Sequence, residues 1–75
     1  MTDYYKIYAL HRNNGWVQLA VNYDGEKAIN YVNNLDGEAY LTAMIIKYHV
    51  LKNMDEPFYL KHSFDEKGKA KVKRR

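Results

Sequence analysis

The sequence predicts an α+β fold in which a four-stranded antiparallel sheet carries one helix on one face. Two apolar alternations of period two near the N-terminus predict a hairpin. A stretch of period 3.6 over residues 24–37 predicts a helix, and two further β-type runs complete the order β-β-α-β-β. A right-handed connection through this helix favours the sheet order 2-1-3-4, with the third strand beside the first.

The first hairpin is predicted from residues 4–11 and 16–23. Between them, a three-residue loop of Asn13, Asn14 and Gly15 would place Gly15 in the left-handed conformation of a bulge. A two-residue Asn14-Gly15 turn is the alternative, and it would shift the strand register by one residue. We prefer the longer loop because it makes one face of the hairpin apolar throughout.

The preferred register predicts two pairs of facing residues in the hairpin. Ile7 is expected opposite Val21, and Ala9 opposite Leu19. In the alternative register, the side chains turned toward the core would instead be those of Tyr8 and Leu10.

The helix is delimited by capping residues at both ends. Asp24 is a suitable N-cap because its carboxylate can accept hydrogen bonds from the first free amides, and Glu26 suits the positive end of the helix dipole. Gly37 could end the helix in the left-handed conformation. One apolar stripe has the helical spacing and comprises Ala28, Tyr31, Val32 and Leu35.

Residues 38–51 fit both a helix and a strand. The β-branched and aromatic residues between Ile45 and Val50 favour a strand over residues 41–51. Pro57 cannot donate to a ladder, so we place it at the turn before a last strand over residues 58–64.

These patterns predict which side chains form the core. The expected members are Tyr5, Ile7, Ala9, Val17, Leu19, Val21, Ala28, Tyr31, Val32, Leu35, Met44, Ile46, Tyr48, Val50, Phe58, Leu60 and Phe64.

The second face of the sheet has no helix to cover it, and the sequence predicts that it mixes aromatic, aliphatic and basic side chains. A solvated sheet face is normally polar, so this composition indicates an interaction surface or a set of side chains that cover one another. Its expected members are Tyr4, Lys6, Tyr8, Leu10, Arg12, Trp16, Gln18, Leu41, Ala43, Ile45, Lys47, His49, Leu51, Tyr59 and Lys61.

Length and charge divide the chain into one domain and a tail. The 75 residues suffice for a single small domain, which we place at residues 1–64. This part holds six Lys or Arg and seven Asp or Glu, a net charge of −1, whereas residues 65–75 hold six cations and two acids, a net charge of +4. The basic character therefore belongs to the tail.

Little in the sequence indicates catalysis. No cysteine is present, which excludes disulfides and thiolate metal sites and fits a cytoplasmic location. His11, His49 and His62 do not converge in the predicted fold, and no metal, phosphate-loop or nucleophile motif is present. We therefore expect no enzyme activity and no cofactor, and no apolar run is long enough to span a membrane.

The function that fits best is a small non-enzymatic protein-binding module. It would use the uncovered sheet face, or an edge strand that accepts a further strand. Its size and its Asn-, Lys-, Ile- and Tyr-rich composition suggest a phage or accessory-gene inhibitor or regulator of a larger host protein, and homodimerisation through the open face is a further hypothesis. The residues expected to bind are Tyr8, Arg12, Trp16, Lys47, His49 and Tyr59.

The alternative is nucleic-acid binding through the basic tail. Six cations can give a salt-sensitive, nonspecific affinity for phosphates, and Tyr8, Trp16 and Tyr59 could stack on bases. The tail residues concerned are Lys67, Lys69, Lys71, Lys73, Arg74 and Arg75.

Overall fold

The computed structural model describes residues 2–64 as four strands and one helix. The strands are β1 (Tyr4–His11), β2 (Gly15–Asn22), β3 (Tyr40–His49) and β4 (Met54–Lys61), and the helix α1 (Gly25–Asn33) connects β2 to β3. The strands form one antiparallel sheet in the order β2-β1-β3-β4. The predicted α+β fold and its topology are confirmed, and so is a strand rather than a helix after residue 40, although β3 ends at His49 and not at residue 51. The last strand begins at Met54, so the prediction that Pro57 lies at the turn before it is wrong.

The first hairpin turns one residue earlier than expected. His11 pairs with Gly15, so the turn consists of the three residues between them. Gly15 adopts the left-handed conformation with φ at 79°, as predicted, but it begins β2 instead of ending the loop.

The predicted pairing within this hairpin is wrong. Ala9 pairs with Val17, and Ile7 pairs with Ala20. Ala20 and Gln18 lie opposite Ile7 and Tyr8, which are consecutive residues of β1. Leu19 between them is therefore an extra residue in β2, and this bulge shifts the register again. Val21 consequently leaves the predicted core and is 46% exposed.

Helix α1 begins as its sequence predicts and ends earlier. The Asp24 side chain accepts from the amides of Glu26 at 2.9 Å and Lys27 at 3.3 Å. The last helical residue is Asn33, and the Asn34 side-chain amide donates to the Asn30 carbonyl at 2.8 Å. Such local side-chain bonds compete with helix continuation, so Gly37 does not cap the helix.

The core lies between α1 and one face of the sheet. Its buried members are Ile7, Ala9, Ala28, Val32, Ala43, Ile45 and Phe64. Tyr31, expected in this core, is 42% exposed. In residues 2–64 no helix combines the length and the apolar content required to cross a membrane.

Strand β3 presents the opposite face to the core from the one predicted. Ala43 and Ile45 are fully buried, so the expected core positions Met44, Ile46 and Tyr48 lie on the other face of the sheet. The reason is tertiary: Ala43 pairs with Ala9 and Ile45 with Ile7, and paired residues in a sheet share a face. The expected core residue Val50 lies beyond the end of β3 and is half-buried.

Strand β4 follows the orientation of β3. Tyr59 pairs with Ile45, and Lys61 pairs with Ala43, so both lie on the helix side although they were predicted on the other. Leu60 is instead 51% exposed on the other face. Phe58 is the extra residue of a second bulge, and its ring packs 4.7 Å from that of Tyr5.

Candidate protein-interaction face

The side of the sheet away from α1 is built by strand alternation. Ile7 and Ala9 are buried under α1. Their neighbours Lys6 and Tyr8 therefore lie on the opposite side of the sheet, and so do the residues that pair with them in the adjacent strands. This helix-free face consists of Tyr4, Lys6, Tyr8, Leu10, Trp16, Gln18, Val21, Thr42, Met44, Ile46, Tyr48, Asp55, Pro57 and Leu60.

The helix-free face is largely apolar. Its polar members are Lys6, Gln18, Thr42 and Asp55, and all others are aliphatic or aromatic. Several of the large side chains keep about half of their surface in contact with solvent, including Trp16 at 49% and Leu60 at 51%. The sheet therefore has a helix over one apolar face and no intramolecular cover, within residues 2–64, over the other.

The two charges on this face neutralise each other. Lys6 Nζ lies 2.9 Å from Asp55 Oδ1 and 5.5 Å from the centre of the Tyr48 ring. The hydrogen bond to Asp55 raises the pKa of Lys6 above its ordinary value. The helix-free face thus carries no net charge.

Recesses interrupt the surface that residues 2–64 form. One of them, about 520 Å³, lies at the corner where β1 begins and β3 ends, and it is lined by Thr2, Tyr4, Tyr23 and Val50. The rings of Tyr4 and Tyr23 meet edge to face at 6.0 Å. Another recess, about 380 Å³, lies at the β4 bulge, and the walls of both are mostly apolar.

The edges of the sheet are less suited to binding than its face. β2 and β4 are the edge strands, and each contains a bulge. Pro57 also removes one backbone donor from β4. Bulges and proline are the usual means by which edge strands avoid pairing with another chain, so these edges disfavour strand addition.

The predicted binding residues divide between the two sides of the sheet. Tyr8 and Trp16 lie on the helix-free face. Lys47, His49 and Tyr59 lie on the helix side. The Lys47 ammonium is 5.7 Å from the centre of the Tyr5 ring. The Tyr59 hydroxyl donates a hydrogen bond to the Asn33 side chain at 3.3 Å.

Arg12 has a local structural role beside the helix-free face. Its guanidinium donates to the Gly37 carbonyl at 3.1 Å, and its backbone amide donates to the Ala39 carbonyl at 2.9 Å. These bonds hold the first hairpin turn against the connection that leads into β3.

The sequence predicted that β3 and β4 contribute to this face but assigned the wrong residues of both strands to it. Met44, Ile46, Tyr48 and Leu60 were assigned to the core. Both faces of β3 are rich in apolar residues, so alternation identifies the strand without indicating which side faces α1.

His49 is the centre of a small polar cluster on the helix side. Its Nδ1 lies 3.3 Å from Asp3 Oδ2, and its Nε2 contacts Glu56 Oε1. Because the two ring nitrogens point in different directions, these carboxylates do not converge on one point. In the part of the chain that the structure describes, no three side chains of metal-ligating type form a site for an ion.

The tail residues proposed for nucleic-acid binding, 67–75, lie outside the described residues, as does the rest of the segment 65–75. Comparison of the chain with protein-family models, curated proteins and solved structures finds no match. The function is therefore argued from the chemistry of the residues themselves.

Proposed function

We propose that the chain is a small, non-enzymatic protein-binding module that acts through its helix-free face. The observation that carries this proposal is a four-stranded face that is mostly apolar and yet lacks an intramolecular cover among residues 2–64. Sheet faces that remain in water are normally polar, and large apolar patches on small proteins usually mark interaction surfaces. Tyr8 and Trp16 supply the aromatic side chains that most often dominate binding energy.

The charge of this face favours a protein partner over nucleic acid. Binding to a phosphate backbone depends on cations that can replace counterions, whereas Lys6 is the basic group of the helix-free face and already pairs with Asp55. Residues 1–64 have a net charge of −1. The partner surface that fits is apolar and close to neutral.

A module of this kind acts by covering a surface of a larger protein. We accordingly propose that the chain is an inhibitor or regulator of such a protein, of the type that phages and accessory genes encode. The small size of the chain and its lack of a catalytic constellation in the sequence support this role.

Nucleic-acid binding remains the second candidate, and it rests on the charge of the tail. Residues 65–75 carry a net charge of +4, which is the feature that favours it. The tail and the helix-free face are separate parts of the chain, so each hypothesis can be tested without the other.

The proposal is tested by capture from a nuclease-treated lysate that lacks the chain itself. Trp16→Ala and Tyr8→Ala should each weaken retention of the captured protein, by about 30-fold if the residue is a binding hot spot of about 2 kcal/mol. Tyr31→Ala is the matched control, because Tyr31 is an exposed aromatic residue on α1. Equal retention by all three variants would contradict a role for the helix-free face.

A further inference from the structure

We propose that the partner for which the helix-free face is suited is a second copy of this chain. In this dimer the two sheets pack face to face, and the helices lie on the outside. The inference rests on the proposed function because it uses the same surface, and it names the partner. A larger protein would then have to displace the second copy in order to bind.

A single copy leaves a large apolar surface in water. Trp16, Val21 and Leu60 are each about half exposed, at 49%, 46% and 51%. A second sheet covers such a surface most directly, because two sheets pack at about 10 Å with their strands about 30° apart. The dimer would have the layers helix, sheet, sheet, helix, in which each sheet has both faces covered.

The charges of the helix-free face are compatible with its binding to a second copy. A face that binds its own copy must not place like charges together without compensation. Lys6 and Asp55 are the charged members of the helix-free face, and they neutralise each other at 2.9 Å. Lys47 and Lys61 lie on the helix side of the sheet, so they do not oppose the approach of a second helix-free face.

The area of the helix-free face is sufficient for a weak dimer. Four strands about 4.8 Å apart and about 26 Å long give a flat footprint of about 500 Å². Two copies therefore remove about 1,000 Å² from water before the relief of the side chains is added, and specific interfaces begin at about this size. We expect a dimer that forms at high protein concentration and dissociates on dilution.

The edges of the sheet disfavour dimerisation by strand pairing. A dimer could also form by joining two edge strands into one continuous sheet. The bulges at Leu19 in β2 and at Phe58 in β4 interrupt both edges, and bulges disfavour such pairing. Face-to-face packing is the arrangement that these strands favour.

The test begins with analytical ultracentrifugation of the full chain between about 1 µM and about 500 µM. The average mass should rise from that of a monomer toward that of a dimer. Sodium sulfate should strengthen association, because it favours apolar burial and screens the repulsion between two chains of charge +3. A monomer at all concentrations, or an association that salt weakens, overturns the inference.

Charged substitutions locate the interface. Trp16→Glu and Leu60→Glu each bury an unpaired carboxylate in the dimer interface, so each should weaken dimerisation by about tenfold or more. Tyr31→Glu is the control, because it adds the same charge at a position of similar exposure on α1. This variant should dimerise like the wild-type protein. An equal effect at all three positions contradicts an interface on the helix-free face.

A measurement on the unaltered protein avoids the risk that a variant fails to fold. In a mixture of isotope-labelled and unlabelled chains, filtered NOE spectra report contacts between copies alone. Such contacts should involve the Trp16 indole and the side chains of Met44 and Leu60. Contacts confined to α1 or to the strand edges overturn the proposed arrangement.

The two proposals can fail separately. If the chain stays monomeric while Trp16→Ala still reduces capture from the lysate, the face binds another protein and the self-association inference is wrong. If the chain dimerises through the face but capture is unaffected by Trp16→Ala and Tyr8→Ala, the inference stands and the role as a binder of larger proteins fails.

Discussion

Ile45 and Ile46 are adjacent isoleucines of β3 that lie on opposite sides of the sheet. Ile45 is fully buried beneath α1 and pairs with Ile7 of β1. Ile46 lies on the helix-free face and is half-buried. Isoleucine therefore contributes to the core at position 45 and to the helix-free face at position 46.

We predict that Ile45→Ala lowers the free energy of unfolding by about 2–5 kcal/mol, because it leaves a cavity in the packed core. Ile46→Ala should cost less, about 1 kcal/mol, because that side chain is already partly in water. Urea unfolding at low protein concentration, where the chain is monomeric, measures both. Equal costs would contradict the deeper burial of Ile45, and the reverse order would show that β3 faces the other way.

Lys61 shows how a charged residue fits on the helix side. Lys61 is only 8% exposed, and its ammonium lies 5.7 Å from the centre of the Phe64 ring. Long aliphatic stems can cover apolar surface while the charge stays near a favourable partner. Lys61 therefore packs on the helix side of the sheet and is not part of the helix-free face.

At the scale of elements, α1 depends on the sheet for its stability. A helix of nine residues is too short to persist alone in water. The Asp24 cap secures its first turn, and the burial of Ala28 and Val32 against the sheet holds it in place. Within residues 2–64, this one short helix covers one face of the sheet and leaves the other without a helix.

The cluster of Asp3, His49 and Glu56 joins three elements. It connects the segment before β1 with the end of β3 and with β4, and Asp3 also accepts from the Val50 amide at 3.0 Å. That backbone bond, with the charge of His49, lowers the pKa of Asp3 below its ordinary 3.8. The bond to His49 lowers the pKa of Glu56 below 4.5.

Because both carboxyl pKa values are lower in the folded state than in the unfolded chain, the carboxylates stabilise the fold above the unfolded values. This contribution should be lost as the pH falls through the folded pKa values. We predict that the free energy of unfolding decreases below about pH 4.5, and that Asp3→Asn makes this decrease shallower. Denaturant titrations across the acid range measure the slope, and an unchanged slope in Asp3→Asn would contradict the assignment.

At the scale of the whole molecule, charge and apolar surface lie in different parts of the chain. Residues 1–64 have a net charge of −1, and residues 65–75 have a net charge of +4. The overall charge of +3 therefore gives no information about the partner of the helix-free face. Sulfate should strengthen association through the helix-free face, whereas salt should weaken the binding of nucleic acid through the tail.

If the tail binds nucleic acid, the full chain should bind single-stranded and duplex oligonucleotides at low salt, and we predict that a chain ending at Phe64 loses this salt-sensitive binding because six cations are removed. The same truncation should leave dimerisation intact, since it removes no member of the helix-free face. Fluorescence anisotropy at several salt concentrations measures the first effect. Equal oligonucleotide affinity in both chains would exclude the tail as the nucleic-acid site.

The sequence by itself determined the elements of this protein and their order. Period-two alternation identified β1 and β2, helical spacing with Asp24 identified α1, and β-branched density identified β3. These signals are local, because they depend on neighbouring residues along the chain. They also sufficed for the topology, since a single helix between two hairpins leaves few connections, and for the expectation that one sheet face lacks a cover.

Only the tertiary structure decided which side chains form that face. β3 is apolar on both sides, so the pairing of Ala43 with Ala9 and of Ile45 with Ile7 was needed to choose between them. The bulges at Leu19 and Phe58 then changed the register in both edge strands, and a shift of one residue moves a side chain to the other face. Such pairings join residues far apart along the chain, and their choice depends on how the whole sheet packs against α1.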